Sequence, residues 1–317
     1  MPQIAQPPLP QFEVQLGAPD IRNWIAGNTG VPGFTTRASR RPGPHVALFA
    51  LMHGNEIAGA IALDRLLRLE LAPTRGKLTF GFVDLAAYDR FDPRQPTLSR
   101  FVDEDINRVW DETVLDGPRR SVELDRARTI RPIVDTIDVL LDLHSMLWPS
   151  EPLILCGSTA KGRELAGGIG TPALVVADRG HASGKRLIDY TRFAAPDTPW
   201  VANLLEAGQH WQSSTVETML GSIAGFLRHL GVADISAPPR GELQRVAEVT
   251  TVVTAGSTGF SFVQPWRGGE VVPHHNTLLA LDGVTEIRTP YDNCLLVMPS
   301  LRPSRGHTAV RLARFVS

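Results

Sequence analysis

Four ionisable side chains draw notice because each lies where an apolar run ends. His53 and Glu56 belong to His-Gly-Asn-Glu, directly after the run 45–52 (HVALFALM). His144 belongs to Asp-Leu-His-Ser, directly after 139–143, and Glu206 closes the run 200–205 (WVANLL) and opens EAGQHW. Ligands of open α/β sheets gather at the carboxyl ends of strands, so three such exits point to one site. Two histidines and a carboxylate suit Zn²⁺ with one position left for water, the catalytic rather than the structural arrangement. His-x-x-Glu serves this because a turn, or the first turn of a helix, brings i and i+3 to one side. Each residue also has a plainer reading. A strand-end histidine often bonds within a turn, Glu56 would be favoured at a helix N-terminus, and Glu206 would be a buried carboxylate paired with an arginine. It is their coincidence that favours a site.

A second motif strengthens it. In Arg100-Phe101-Val102-Asp103-Glu104-Asp105-Ile106-Asn107-Arg108-Val109-Trp110, two arginines flank an acidic loop and Asn107 adjoins the second. A guanidinium binds a carboxylate bidentately, and Asn107-Arg108 offers amide and guanidinium donors to one anion. The alternative is a solvated charged loop. There is no HExxH, no Walker A loop, no GxGxxG after the first strand and no GxSxG elbow. GSTGF at 256–260 is a Gly-rich turn without the strand–helix context a phosphate site needs.

The elements that must position these groups are legible as apolar strands alternating with amphipathic helices. Strands are predicted at 45–52, 77–85, 139–143, 152–156, 171–177 and 200–205, and helices at 55–71, 122–138 and 213–230. This alternation implies an α/β sheet covered on both faces. Residues 1–44 read as an irregular arm whose Phe12, Val14, Leu16, Ile21, Trp24 and Ile25 need burial, and which would cover one sheet edge. The arm's GNTG at 27–30 has no assigned role. A linker is expected at Pro238-Pro239-Arg240-Gly241. It divides a catalytic domain, 1–235, from a small β domain, 236–317, of short strands without a strong helix.

In order and spacing, HGNE, RFVDEDINRVW, DLHS and a strand ending in Glu206 resemble the succinylglutamate desuccinylase/aspartoacylase family, a branch of the zinc-carboxypeptidase-like fold. The resemblance spans roughly 45–230. It implies a mixed sheet flanked by helices, with a small C-terminal β domain beside the site. It further implies that His53, Glu56 and His144 bind one Zn²⁺ per chain and that Glu206 is general base and then general acid. Arg100 would stabilise the oxyanion, and Asn107 and Arg108 would hold a substrate carboxylate. Asp142, two residues before His144 on one strand face, would orient a zinc-binding histidine. Family members read a second substrate carboxylate from later loops. Arg179, Lys185 and Arg186 are the candidates here, with Tyr291 from the β region; His210 and Trp211 follow the catalytic strand, Trp211 being equally suited to packing.

Composition excludes several classes. Lys+Arg 32 against Asp+Glu 33 gives a net charge of −1, which argues against a nucleic-acid binder. No apolar run approaches membrane-spanning length, and the N-terminus lacks a signal-peptide pattern. Two cysteines are too few for a disulfide framework. The expectation is a cytoplasmic enzyme with a small-molecule substrate and neither nucleic-acid nor membrane partner; assembly as a homo-oligomer stays open. The reaction expected is hydrolysis of the N-acyl amide of a small carboxylate-bearing substrate such as an N-acyl amino acid. The alternatives are a metallocarboxypeptidase acting on peptides and a non-catalytic metal-containing binding protein.

Overall fold

The structure, a computed structural model, describes residues 12–181, 183–235 and 243–316. The first half carries α1 (Arg22–Ile25), β1 (Phe34–Ala38), β2 (His45–Ala50), α2 (Ile57–Arg68), β3 (Lys77–Phe82), α3 (Leu85–Tyr88), α4 (Glu112–Leu115), α5 (Val122–Val134) and β4 (Val139–Met146). There follow β5 (Leu153–Leu155), α6 (Ala160–Ile169), β6 (Leu174–Ala177), α7 (Thr191–Ala194), β7 (Val201–Gln209) and α8 (Ser213–His229). The C-terminal part holds β8 (Arg245–Thr254), β9 (Phe260–Phe262), β10 (Val271–Val272), β11 (Leu278–Asp282), β12 (Thr285–Arg288), β13 (Cys294–Val297) and β14 (Thr308–Val316).

Eleven strands form one mixed sheet in the order β1-β3-β2-β4-β7-β5-β6-β8-β14-β13-β10, and β12-β11-β9 form a second sheet. The neighbours β3, β2, β4 and β7 are parallel, and their apolar runs are buried on both faces, as a covered parallel sheet requires. One core packs Leu141, Leu143 and Leu205 under α2, α6 and α8. The other packs Leu140, Leu204 and Ala202 with Leu124, Ala127 and Ile130 of α5. Because strand residues alternate, Asp142, His144 and Glu206 share the α5 face.

Ends of elements moved by a few residues. The helix expected over 122–138 stops at Val134, where Pro132 already removes a donor and Asp135 caps the last turn. The strand expected to end at 143 runs on to Met146. The N-terminal arm supplies β1, the edge strand antiparallel to β3, and buries Ile21, but Ile25 stays exposed. Phe12 meets Trp148 and Trp211 edge-on.

The linker expected at 238–241 lies outside the described residues. Beyond it, β8 pairs in parallel with β6, so β8, β14, β13 and β10 continue the large sheet. A third core, including Phe260, Phe262 and Trp266, belongs to this part alone. Among the described residues, no helix is long and apolar enough to cross a membrane.

Candidate active site

The chain leaves β2 through Leu51, a non-glycine residue at φ 58°, a backbone strain of the kind concentrated at functional turns. His53-Gly54-Asn55-Glu56 follows. A Cβ on Gly54 would sit 2.3 Å from the carbonyl carbon of Ala87 and 2.5 Å from the Ser99 oxygen, so only glycine passes there. Glu56 occupies the N-cap position of α2, yet its side chain does not cap the helix. Its Oε1 lies 2.6 Å from His53 Nδ1 and its Oε2 3.1 Å from His144 Nδ1, and Oε2 accepts the Ser145 N–H at 3.0 Å. Burial alone would raise the Glu56 carboxyl, but the two imidazoles hold it well below the usual range.

Each histidine is backed by a carboxylate on its other nitrogen. His144 Nε2 donates to Asp142 Oδ2 at 2.8 Å, and His53 Nε2 donates to Asp105 Oδ1 at 2.9 Å. Both imidazoles therefore turn Nδ1 toward Glu56. The nearest ligand atoms of His53, Glu56 and His144 all lie within 4.8 Å of one another, and all three residues are buried. Two neutral nitrogens, a carboxylate and a carboxylate behind each ring form a donor set that fits one divalent metal.

Glu206 reaches the same place by strand register, since β4 and β7 pair His144 directly with Glu206. Glu206 is 6% exposed, and its Oε2 has no hydrogen-bond partner among the described residues. Burial raises it above the ordinary carboxylate range, with Glu56 adding to the rise while His144 and Arg100 oppose it.

The 100–108 loop closes one side. Arg100 Nη2 donates to Asp105 Oδ2 at 3.1 Å, and its Nη1 lies 3.5 Å from Glu56 Oε1. Asp105 also caps the 3₁₀ turn Ile106–Arg108 by accepting the Asn107 N–H at 2.8 Å. Asn107 is buried; its Oδ1 accepts the Leu187 N–H at 2.8 Å, while Nδ2 faces His144 at 3.5 Å. Arg108 donates to the Asn107 carbonyl at 2.7 Å. Beneath the loop, buried Glu123 of α5 accepts the N–H groups of Val102, Asp103 and Glu104.

A cavity of about 740 Å³ opens over these groups, within the size range of small-molecule sites. His53, Glu56, Arg100, Asn107, Arg108, His144 and Glu206 all line it, so three strand exits and the arginine loop converge. His210 lines it too, bonded to Ser145 Oγ at 2.8 Å and pushed down to about 3 by burial. Trp211 is fully buried and donates to the Asn55 carbonyl at 3.1 Å, so it packs behind the His-Gly-Asn-Glu turn.

Three expected pocket residues are not brought there. Arg179 is exposed just past β6 and does not line the cavity, to which its own loop contributes His181, Ser183 and Arg186. Lys185 pairs with Asp111 at 2.9 Å, outside the cavity. Tyr291 packs on the C-terminal core, bonds Thr250 and carries Arg314 over its ring, all of which hold it off the cavity. The Gly-rich turn at 256–260 spends its amide groups on the Asp282 carboxylate. Conversely, Asp105, Glu123, Ser145, His181 and Arg311 were not singled out from sequence. Only Asp105 carried a local signal, the Asp-x-Asn of a side-chain cap.

Residues 42–197 match the family model of the succinylglutamate desuccinylase/aspartoacylase catalytic domain. A comparison with curated protein sequences finds no match. Among solved structures, succinylglutamate desuccinylase from Vibrio cholerae is similar at TM-score 0.68 and 17% identity, over 90% of this chain and 86% of that one. That from Vibrio parahaemolyticus gives TM-score 0.66 and 17% identity, over 90% and 87% of the two chains. Succinylglutamate desuccinylase/aspartoacylase from Rhodobacter sphaeroides gives 0.65 and 19%, over 90% and 89%. At these identities the structures speak for the mixed α/β fold, while the matched catalytic domain contains the His-Gly-Asn-Glu, arginine-loop and Asp-Leu-His-Ser motifs. On that ground the chain belongs to the succinylglutamate desuccinylase/aspartoacylase family.

Proposed function

We propose that the protein is a zinc-dependent amidohydrolase that cleaves the N-acyl amide of a small carboxylate-bearing substrate such as an N-acyl amino acid. The observation that carries this reading is the buried His53–Glu56–His144 cluster with Glu206, one oxygen unpartnered among the described residues, in register beside His144. Zinc held by those three side chains supplies Lewis-acid polarisation and a nucleophile usable at neutral pH.

The chain's own groups do the rest. Glu206 takes a proton from the attacking water and returns it to the amine as the C–N bond breaks, so the products are a carboxylic acid and a free amine. A carboxyl raised by burial is suited to holding that proton between the two steps. Arg100, held by Asp105 and Glu56, offers its guanidinium to the oxygen that gains charge, a contribution of about 3 kcal/mol for such a donor. Asn107 Nδ2 and Arg108 anchor the substrate carboxylate. The match to a desuccinylase/aspartoacylase catalytic domain supports a small acylated substrate over a long peptide.

The test is a mass-spectrometric hydrolysis screen on zinc-loaded protein, with N-acetyl, N-formyl and N-succinyl amino acids and short peptides. Glu206→Gln is expected to retain zinc and lose roughly 10²–10⁴-fold in rate, the usual yield of a general acid–base group. Wild-type turnover by that variant overturns the mechanism, and release only of C-terminal residues from peptides moves the protein to the carboxypeptidase reading.

A further inference from the structure

Arg311 is delivered by β14, far from the catalytic motifs in sequence. It lies opposite Val297 in the β13–β14 ladder. Val297 and Ala313 belong to the same core as Leu204 and Leu140, so Arg311 projects from the sheet face that carries His144 and Glu206. It is 3% exposed and lines the cavity.

Its partners do not satisfy it. Asp178 is the carboxylate nearest to it, at 3.4 Å from Nε, and Nε has no hydrogen-bond partner among the described residues. Asp178 is already engaged, because Arg186 grips it with two bonds of 3.0 and 2.7 Å. Arg311 Nη2 instead donates to His181 Nε2 at 2.6 Å. Burial and the arginines around it keep His181 neutral, which leaves it an acceptor without charge.

Arg108 is only partly buried, its side chain 22% exposed, but it too lacks a carboxylate of its own. Its carboxylate neighbour is Asp105, 3.8 Å away, and Asp105 is bonded to both Arg100 and His53. The cations feel one another: burial pushes Arg108 down to about 10, Asp105 opposes this, and Arg100, Arg186 and Arg311 add to the fall. A buried cation normally has a carboxylate of its own, because an uncompensated buried charge is costly. Here Arg108 and Arg311 line one cavity and share other residues' anions.

We propose that Arg311 is a specificity-determining residue: with Arg108 it forms a two-guanidinium clamp for an anionic group of the substrate. The substrate carboxylate is therefore held jointly by the arginine loop and by the C-terminal strand, and neutral N-acyl amides are rejected. A bound carboxylate supplies an anion to two arginines whose carboxylate neighbours, Asp178 and Asp105, are each shared with other groups. This deepens the deacylase reading and rests on it for the reaction, but not for anion binding.

The test compares full-length, zinc-loaded wild type, Arg311→Gln and Arg311→Lys on N-acyl amino acids and their carboxamides, reading kcat and KM separately. A charge-assisted hydrogen bond predicts that Arg311→Gln raises KM for the acid roughly 10- to 100-fold, with little change in kcat. The preference for acid over carboxamide should shrink by the same factor. Arg311→Lys, which keeps the charge without the fork, should recover part of it. An unchanged acid-over-carboxamide preference in Arg311→Gln overturns the clamp. If wild type hydrolyses none of these amides, the deacylase reading fails and the clamp is read from thermal stabilisation by succinate. Stabilisation of wild type that is lost in Arg311→Gln and partly restored in Arg311→Lys upholds it, and equal stabilisation of wild type and Arg311→Gln overturns it. If Arg311→Gln does not fold, the lysine variant and the acid–carboxamide comparison on wild type decide: a wild type indifferent to the carboxylate refutes the clamp.

Discussion

Replacing Asp142 by Asn removes one negative charge from behind His144 while keeping its shape. Asp142 is fully buried, its Oδ2 holds His144 Nε2 at 2.8 Å, and its Oδ1 has no partner among the described residues. The carboxylate's contribution is therefore concentrated in one charge-assisted bond. Such a bond is worth about 1.5–3 kcal/mol, and the neutral bond an asparagine oxygen would make about 0.5–1.5 kcal/mol. The difference of about 1–2 kcal/mol corresponds to zinc binding weakened roughly 5- to 30-fold. That range overlaps the roughly 10- to 100-fold cost of losing a carboxylate behind a metal-binding histidine. Competition of zinc between the protein and a chelator, at fixed pH, measures the ratio directly, with circular dichroism to confirm folding. Equal affinity in the folded variant would refute the claim that Asp142 orients His144. A loss beyond about a thousandfold would also refute it, since a direct ligand rather than a supporting one would then have been removed.

Asp84 caps α3 through the Ala87 N–H at 3.0 Å but leaves Oδ2 unpartnered among the described residues, and burial pushes its carboxyl up from 3.8 to about 6. The folded state then holds the proton more tightly than the unfolded state, so stability falls as pH rises from about 4 to 6 and the penalty persists above, amounting to about 3 kcal/mol. Asp84→Asn should gain on wild type in thermal unfolding between pH 4.5 and 7.5, and a gap independent of pH would contradict this. Glu123→Gln turns an amide against backbone N–H groups at 102–104, which loosens the loop carrying Arg100 and Arg108. A misplacement of that kind costs about 100-fold in rate, so kcat/KM should fall 10- to 100-fold with zinc content unchanged, and full activity would count against a positioning role.

Much of the site was readable locally because its motifs sit at strand exits, and an apolar run followed by His or Glu is a pattern within a few residues. His53, Glu56, His144 and Glu206 were found that way, Arg100, Asn107 and Arg108 from the paired arginines of the 100–110 motif, and all seven line one cavity. The alternation of β4 likewise put Asp142 and His144 on one face before any fold was known. Loop residues were less legible. Arg179 and Tyr291 have suitable chemistry, but the direction of a side chain from a loop is set by what packs around it.

The sequence by itself determined the α/β class, the covered strands and the composition of the candidate metal cluster, since periodicity and residue type are local properties. Only the tertiary structure decided that His144 and Glu206 are in register, that Asp105 and Glu123 hold the arginine loop, and that β8 and β14 join the large sheet to bring Arg311 to the cavity. These depend on pairings between residues scores of positions apart. Such pairings are fixed by which faces bury together and which buried charges find partners, and no local pattern records either.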